Sequence, residues 1–221
     1  MSTILLLREG IIFYLVLIVS LCLHEWGHAW IADKLGDPLP RVQGRVTLNP
    51  LVHMDLIGSV LLPLAIIFLP VLTGGAYSWG MMPLFAWGKP VELSLPHPKT
   101  RVRDEICIAA AGPAVNLILC LVFAGIGSLA SLWKPDFTQL FAFMIFINAS
   151  LAVFNLLPIP PLDGGQLARH AMRLSDETYA FLSRWSLLII ILIINIPVAR
   201  IVLLKAILAV ASPCIQLMTV L

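Results

Sequence analysis

In a chain of 221 residues with net charge +2, 60% of the residues are hydrophobic and only 12% charged, and mean hydropathy is +0.98. Soluble domains carry about 25% charged residues, so lipid must solvate much of this surface. At roughly 20 apolar residues per span there is room for five or six spans and no soluble domain of ordinary size, and without a basic run interleaved with aromatics a nucleic-acid partner is excluded.

Met1–Arg8 is too short for a cleaved signal, so the first apolar run, about Gly10 to Ala32, reads as a retained span. It ends in the charged stretch Asp33–Arg45, where Gly36-Asp37-Pro38 stops a helix. Arg45-Val46-Thr47-Leu48 is short and β-prone. A second apolar run covers Leu56 to Leu72, interrupted by Pro63 and Pro70, and a glycine- and aromatic-rich segment continues to Trp87-Gly88-Lys89-Pro90. Residues Val91 to Asp104 are polar. Spans are then predicted over Ile106–Leu132 and about Thr138–Leu157, followed by Pro158-Ile159-Pro160-Pro161-Leu162-Asp163-Gly164-Gly165. Gln166–Asp176 reads as an amphipathic surface helix, and two last apolar runs, Tyr179–Ile196 and Val198–Ala211, are divided by Asn195 and Pro197. Cys22, Cys107, Cys120 and Cys214 lack metal-ligand spacing and are expected to be buried free thiols.

Topology depends on residues 56–88. If they cross once, Lys34, Arg41 and Arg45 oppose Lys89, Lys99, Arg101 and Arg103 across the membrane. If they return, all of these share one face with Arg169, Arg173 and Arg184, leaving Arg8, Lys134 and Arg200 opposite. The positive-inside rule selects the second arrangement. The expectation is an outside N-terminus and a hairpin or re-entrant segment at 56–88.

The chemistry concentrates late in the first span, at His24-Glu25-Trp26-Gly27-His28. Positions i and i+4 share a helix face about 6 Å apart, so both imidazoles can bind one metal ion while Glu25 stands beside them as a base. Hydrolytic zinc takes three protein ligands and one water, and lowers that water's pKa to near neutral. A packing role for the trio is the plainer explanation, but each ionisable group in a span costs about 2.5–3.5 kcal/mol on insertion scales. Three of them so close together require a shared purpose, and metal binding supplies one. For the third ligand, His53 and His97 fall in connecting loops at the interface and His170 on the amphipathic surface helix, whereas Asp163 follows a span and three prolines. On spacing alone Asp163 is equally well a turn residue before Gly164-Gly165.

His24–His28 in the first span, Ala111-Gly112-Pro113-Ala114-Val115-Asn116 in a middle span, and Asn155–Gly165 after a later one together resemble the site-2 protease family of intramembrane zinc metalloproteases (peptidase family M50), in a compact form without a PDZ or CBS domain. The resemblance spans about residues 20–165. It implies one zinc ion per chain held by His24, His28 and Asp163, with Glu25 as general base. It also implies an active site opening toward the cytoplasm and an outside N-terminus. Asn155 matches the family asparagine that grips substrate or stabilises the oxyanion, while Asn116 and Gly112 suit helix packing. Pro161 would shape the loop presenting Asp163. Gly88-Lys89-Pro90-Val91 occupies the place of a membrane-dipping β-structure that meets substrate, and either 43–48 or 86–93 could supply an edge for an unwound substrate.

The expected protein is therefore an all-α polytopic metalloendopeptidase of about six transmembrane helices, with a re-entrant or hairpin segment and a short β element near the active site. It forms one membrane-embedded domain, residues 1–221, with a catalytic core of about 10–175 and C-terminal helices of about 178–221. It resides in the cell membrane, and its substrates are single-span membrane proteins or peptides. A secondary transporter or metal-ion channel would also carry intramembrane His, Glu and Asp, but no inverted repeat is present. An inactive membrane-binding relative is the third possibility.

Overall fold

The computed structural model describes residues 3–73, 86–134 and 136–220. Nine α-helices are found among them: α1 (Thr3–Lys34), α2 (Leu39–Val42), α3 (Pro50–His53), α4 (Leu62–Thr73), α5 (Arg101–Ser131), α6 (Asp136–Asn155), α7 (Asp163–Ala171), α8 (Asp176–Asn195) and α9 (Pro197–Val220). A π-helical turn, Leu56–Leu61, leads into α4. Five helices among the described residues are long and apolar enough to cross a membrane: α1 from Leu7, α5, α6 from Phe137, α8, and α9 to Met218. The apolar helix Leu56–Phe68 is shorter, and residues 74–85, where the expected hairpin would turn back, lie outside the described residues. The chain divides into two compact units, residues 1–94 and 95–221.

In the first unit α1 stops where its sequence says it should. The Gly36 N–H donates to the Asp33 carbonyl at 3.1 Å and the Asp37 N–H to Ala32 at 3.0 Å, with Gly36 at φ 89°. This 6→1 and 5→2 pair is the Schellman cap that glycine makes accessible. Buried Asp37 then accepts from the Leu39 N–H at 3.0 Å and from the backbone and hydroxyl of Ser94 at 2.7 and 2.5 Å, which ties the last residue of this unit to the end of α1. The β-prone 45–48 stretch is instead irregular, entered by a turn at residues 43–44 and bent at 46–47. Gly44 at φ 69° lets the Arg45 N–H fold back to Pro40 at 2.8 Å, and an extended strand cannot make that bond. Asp55 starts the π-helical turn by accepting from Ile57 and Gly58 N–H at 3.0 and 2.7 Å. Met54 and Gly88 form one isolated antiparallel bridge, so the β element is confined to a single residue pair among the described residues.

In the second unit α5, α6 and α9 pack together, α7 lies on α5, and α8 rests on α9. The buried stripe of α5 is made of small or polar residues four apart: Gly112, Asn116, Cys120 and Ala124, continued by Gly127 and Ser128. Leu117, Ile118, Leu121, Val122 and Leu129 are exposed. Small seams let backbones approach where no hydrophobic drive exists between helices in lipid. At Gly127 an added methyl would come within 2.7 Å of Phe141 Cβ. Cys22, Cys120 and Cys214 are buried as expected, but Cys107 is exposed. It sits on the turn of α5 with exposed Ile106 and Arg103, beside the seam rather than in it.

Asn116 packs as the sequence suggested, with a partner the sequence did not reveal. Its amide donates to the Asn148 carbonyl of α6 at 3.0 Å, and Asn148 donates to Met144 at 2.9 Å. Interhelical hydrogen bonds in membranes average about 0.6 kcal/mol, and a stranded buried amide adds about 1 kcal/mol or more. Asn116→Ala is expected to destabilise the protein by about 1–2 kcal/mol in denaturant unfolding in micelles.

Candidate metal centre

The buried stripe of α1 runs through Phe13, Leu17, Ser20, Leu21, His24, His28 and Ala32, while Ile11, Leu15, Val19 and Trp30 are exposed. The four-residue spacing of the motif therefore lands both imidazoles on the inward face of a spanning helix. His24 and His28 are 3% and 7% exposed, with Glu25 between them at 8%. The two Nε2 atoms stand 3.1 Å apart, with the rings edge to face at 4.7 Å. Without an ion that separation admits an N–H···N bond. It also matches two nitrogens sharing one tetrahedral zinc, which at 2.0–2.1 Å bonds stand about 3.3 Å apart. The donor pair thus fits the implied ion.

Glu25 rests on Gly88. A Cβ at position 88 would lie 2.7 Å from both Glu25 Cγ and Oε1, so any other residue there would oblige this carboxylate to shift. Segment 86–90 is pinned to residues 52–59. The Lys89 N–H donates to His53 at 2.8 Å and the Trp87 N–H to Gly58 at 3.3 Å, while the Ser59 hydroxyl donates to the Trp87 carbonyl at 2.7 Å. The buried Arg45 guanidinium donates to the Val52 carbonyl and, at 3.4 Å, to that of Lys89. Val91 is half-buried three residues beyond Gly88.

His53, expected in an interfacial loop, is buried within the protein, at 2% exposure. Its Nε2 lies 2.8 Å from the Thr47 carbonyl, so Nε2 is the protonated nitrogen of a neutral ring. Burial first, then the Arg45 charge, hold its pKa below the ordinary histidine value against the Thr47 bond. The unfolded chain takes up this proton near pH ~6.5 while the folded one resists. The stability contribution is complete above that pH and is lost as pH falls through the lower folded value. Tm in detergent should decline as pH falls below about 6.5, and His53→Gln, which keeps a donor, should flatten that decline.

The remaining candidate residues belong to the second unit. Asp163 is the first residue of α7, three residues earlier than the helix expected from Gln166. The reason is close approach. Gly164 and Gly165 press against the Leu156 carbonyl and the Ile159–Pro160 backbone, where any side chain would overlap. The glycines serve contact rather than a turn, and they leave the Asp163 carboxylate at a helix N-terminus, where negative charge is favoured. Pro161 is exposed in the loop before it, after a cis Pro160–Pro161 bond. Asn155, half-buried at the end of α6, donates to the Leu151 carbonyl one turn back at 3.0 Å. His170 is not a surface residue: its side chain is 13% exposed, with Nε2 2.6 Å from Glu105 Oε2 of α5. His24, Glu25, His28 and Gly88 thus meet within the first unit, and Asn155, Pro161 and Asp163 cluster at the α6–α7 turn of the second.

Comparison with known proteins agrees with this chemistry. The model of peptidase family M50 matches residues 12–132 and 127–193. The chain is similar to YwhC of Bacillus subtilis, assigned as a zinc metalloprotease, at 33% identity over 187 residues, which is 76% of this chain and 77% of YwhC. It is similar to Rip2 of Mycolicibacterium smegmatis, assigned likewise, at 34% identity over 193 residues, 84% of this chain and 68% of Rip2. The zinc metalloprotease MJ0392 of Methanocaldococcus jannaschii is 23% identical over 158 residues, 72% of this chain and 33% of its own length. No solved structure matches the chain. With its paired histidines on a spanning helix and this family match over most of its length, the chain belongs to peptidase family M50, the site-2 protease family, as a multi-pass membrane zinc metalloprotease.

Proposed function

We propose that the protein hydrolyses peptide bonds in or near the transmembrane segments of single-span membrane proteins or leftover signal peptides, with both units acting as one catalytic domain. The observation that carries this reading is the pair of buried imidazole nitrogens 3.1 Å apart on a spanning helix, with a carboxylate between them in sequence. His24, His28 and Asp163 would hold the ion, a two-imidazole, one-carboxylate set that leaves a position for water. Bound there, zinc supplies acidification of that water and polarisation of the scissile carbonyl.

The chain's own residues do the rest. Glu25 accepts the proton as the water oxygen bonds to the carbonyl carbon, and returns it to the amide nitrogen as the C–N bond breaks. The Asn155 amide, released from Leu151, donates to the developing oxyanion. Pro161 shapes the loop that presents Asp163. The edge from Gly88 to Val91 offers backbone partners to the unwound substrate. The clustering of basic residues in the loops supports an outside N-terminus and a cytoplasmic opening in the cell membrane.

Purified protein in detergent, given a panel of single-span peptides, tests this reading. One zinc per chain and chelator-sensitive cleavage are expected. Metal movement across liposomes without cleavage would favour a transporter, and zinc binding with neither would favour an inactive relative.

A further inference from the structure

The general base of a hydrolase has to be held in one rotamer, and Glu25 carries its carboxylate on a side chain with three rotatable bonds. What limits it on one side is Gly88, whose missing Cβ would sit 2.7 Å from both Cγ and Oε1. Position 88 is itself irregular backbone and would wander without restraint. It is instead fixed by bonds to a clasp formed by residues 52–59. Backbone N–H groups on either side of Gly88 reach His53 and Gly58, Ser59 Oγ holds the Trp87 carbonyl, and Arg45 bridges the Val52 and Lys89 carbonyls. Gly58 is itself required, since a side chain there would overlap the Trp87 ring. A buried guanidinium, a glycine and a serine hydroxyl thus hold the residues on either side of Gly88, and Gly88 faces the base.

We infer that Gly88 is a positioning residue for Glu25, and that Arg45, Ser59 and the 52–59 clasp act through it to fix the carboxylate for proton transfer. This rests on the hydrolytic role proposed for Glu25. It gives Gly88 a second role: its backbone belongs to the edge that can meet substrate, while its missing Cβ serves the base. A misplacement of about 1 Å in catalytic geometry costs roughly 10²-fold in rate.

The test compares Gly88→Ala and Ser59→Ala with wild type, as full-length protein in detergent with one cleavable single-span peptide. Gly88→Ala is expected to lower kcat by roughly 10- to 100-fold, with KM, bound zinc and Tm near wild type. Ser59→Ala, which loses the hydroxyl's bond to the Trp87 carbonyl and the one it accepts from the Asp55 N–H and adds no bulk, should lower kcat in the same direction by a smaller factor. Infrared difference spectra against Glu25→Gln read the carboxylate directly, and Gly88→Ala should shift its band whether or not peptide is cut. A raised KM at unchanged kcat would make Gly88 a substrate contact and overturn the inference. So would wild-type kcat and an unshifted band in Gly88→Ala. If Gly88→Ala does not fold, wild-type kcat in Ser59→Ala overturns it. Failure of wild type itself to cleave any peptide would instead count against the hydrolytic reading.

Discussion

Asp163→Ala is expected to empty the metal centre, with bound zinc falling from one per chain toward none after dialysis and cleavage falling with it. Two imidazoles one turn apart make only a bidentate site, and hydrolytic zinc is held by three protein ligands. The Lewis-acid contribution is worth several kcal/mol, and at about 1.4 kcal/mol per decade the loss is on the order of 10³-fold or more. His24→Ala and His28→Ala should behave alike. Asp163→Asn separates charge from shape: it keeps an oxygen of similar size but not the carboxylate, so zinc should be weakened and recovered partly by excess metal. Full zinc occupancy in Asp163→Ala, measured by atomic emission on folded protein, would remove Asp163 from the ligand set.

Glu25→Gln should do the opposite to metal and the same to activity. The amide preserves the volume that fits against Gly88 but cannot accept the water proton. Positioned acid–base groups contribute about 10²–10⁴-fold, so kcat should fall within that range while one zinc stays bound. Equal activity in Glu25→Gln would assign the proton transfer elsewhere. A matching loss of zinc would make Glu25 part of the metal site.

The pairing of His24 with His28 was legible because four-residue spacing on a long apolar helix leaves little freedom: the two rings had to share a face. The helix stop at Gly36 was equally plain, because glycine followed by Asp37-Pro38 permits little else. Which face of α1 turns inward was not legible, since Leu17 on the buried side and Leu15 on the exposed side are the same residue type when lipid replaces water as solvent. The same holds for α5, where only the small residues at 112, 116, 120 and 124 mark the seam. The burial of Arg45 and His53 was not legible for a different reason. Both sit in connecting segments by sequence, yet both are buried because their polar atoms find backbone carbonyls several residues away, at Val52 and Thr47. No local pattern encodes those partners. The glycines after Asp163 are open to a turn reading in sequence, and the structure shows that they permit tight packing of a helix start.

The most direct test of the account is where the bond is cut. A single-span substrate reconstituted with the protein in liposomes, analysed by mass spectrometry of both fragments, should give new termini inside or at the edge of its apolar segment. The cut should vanish with chelator and return with added zinc. Fragments ending only in the water-exposed flanks, produced by a zinc-loaded protein, would contradict proteolysis within the membrane.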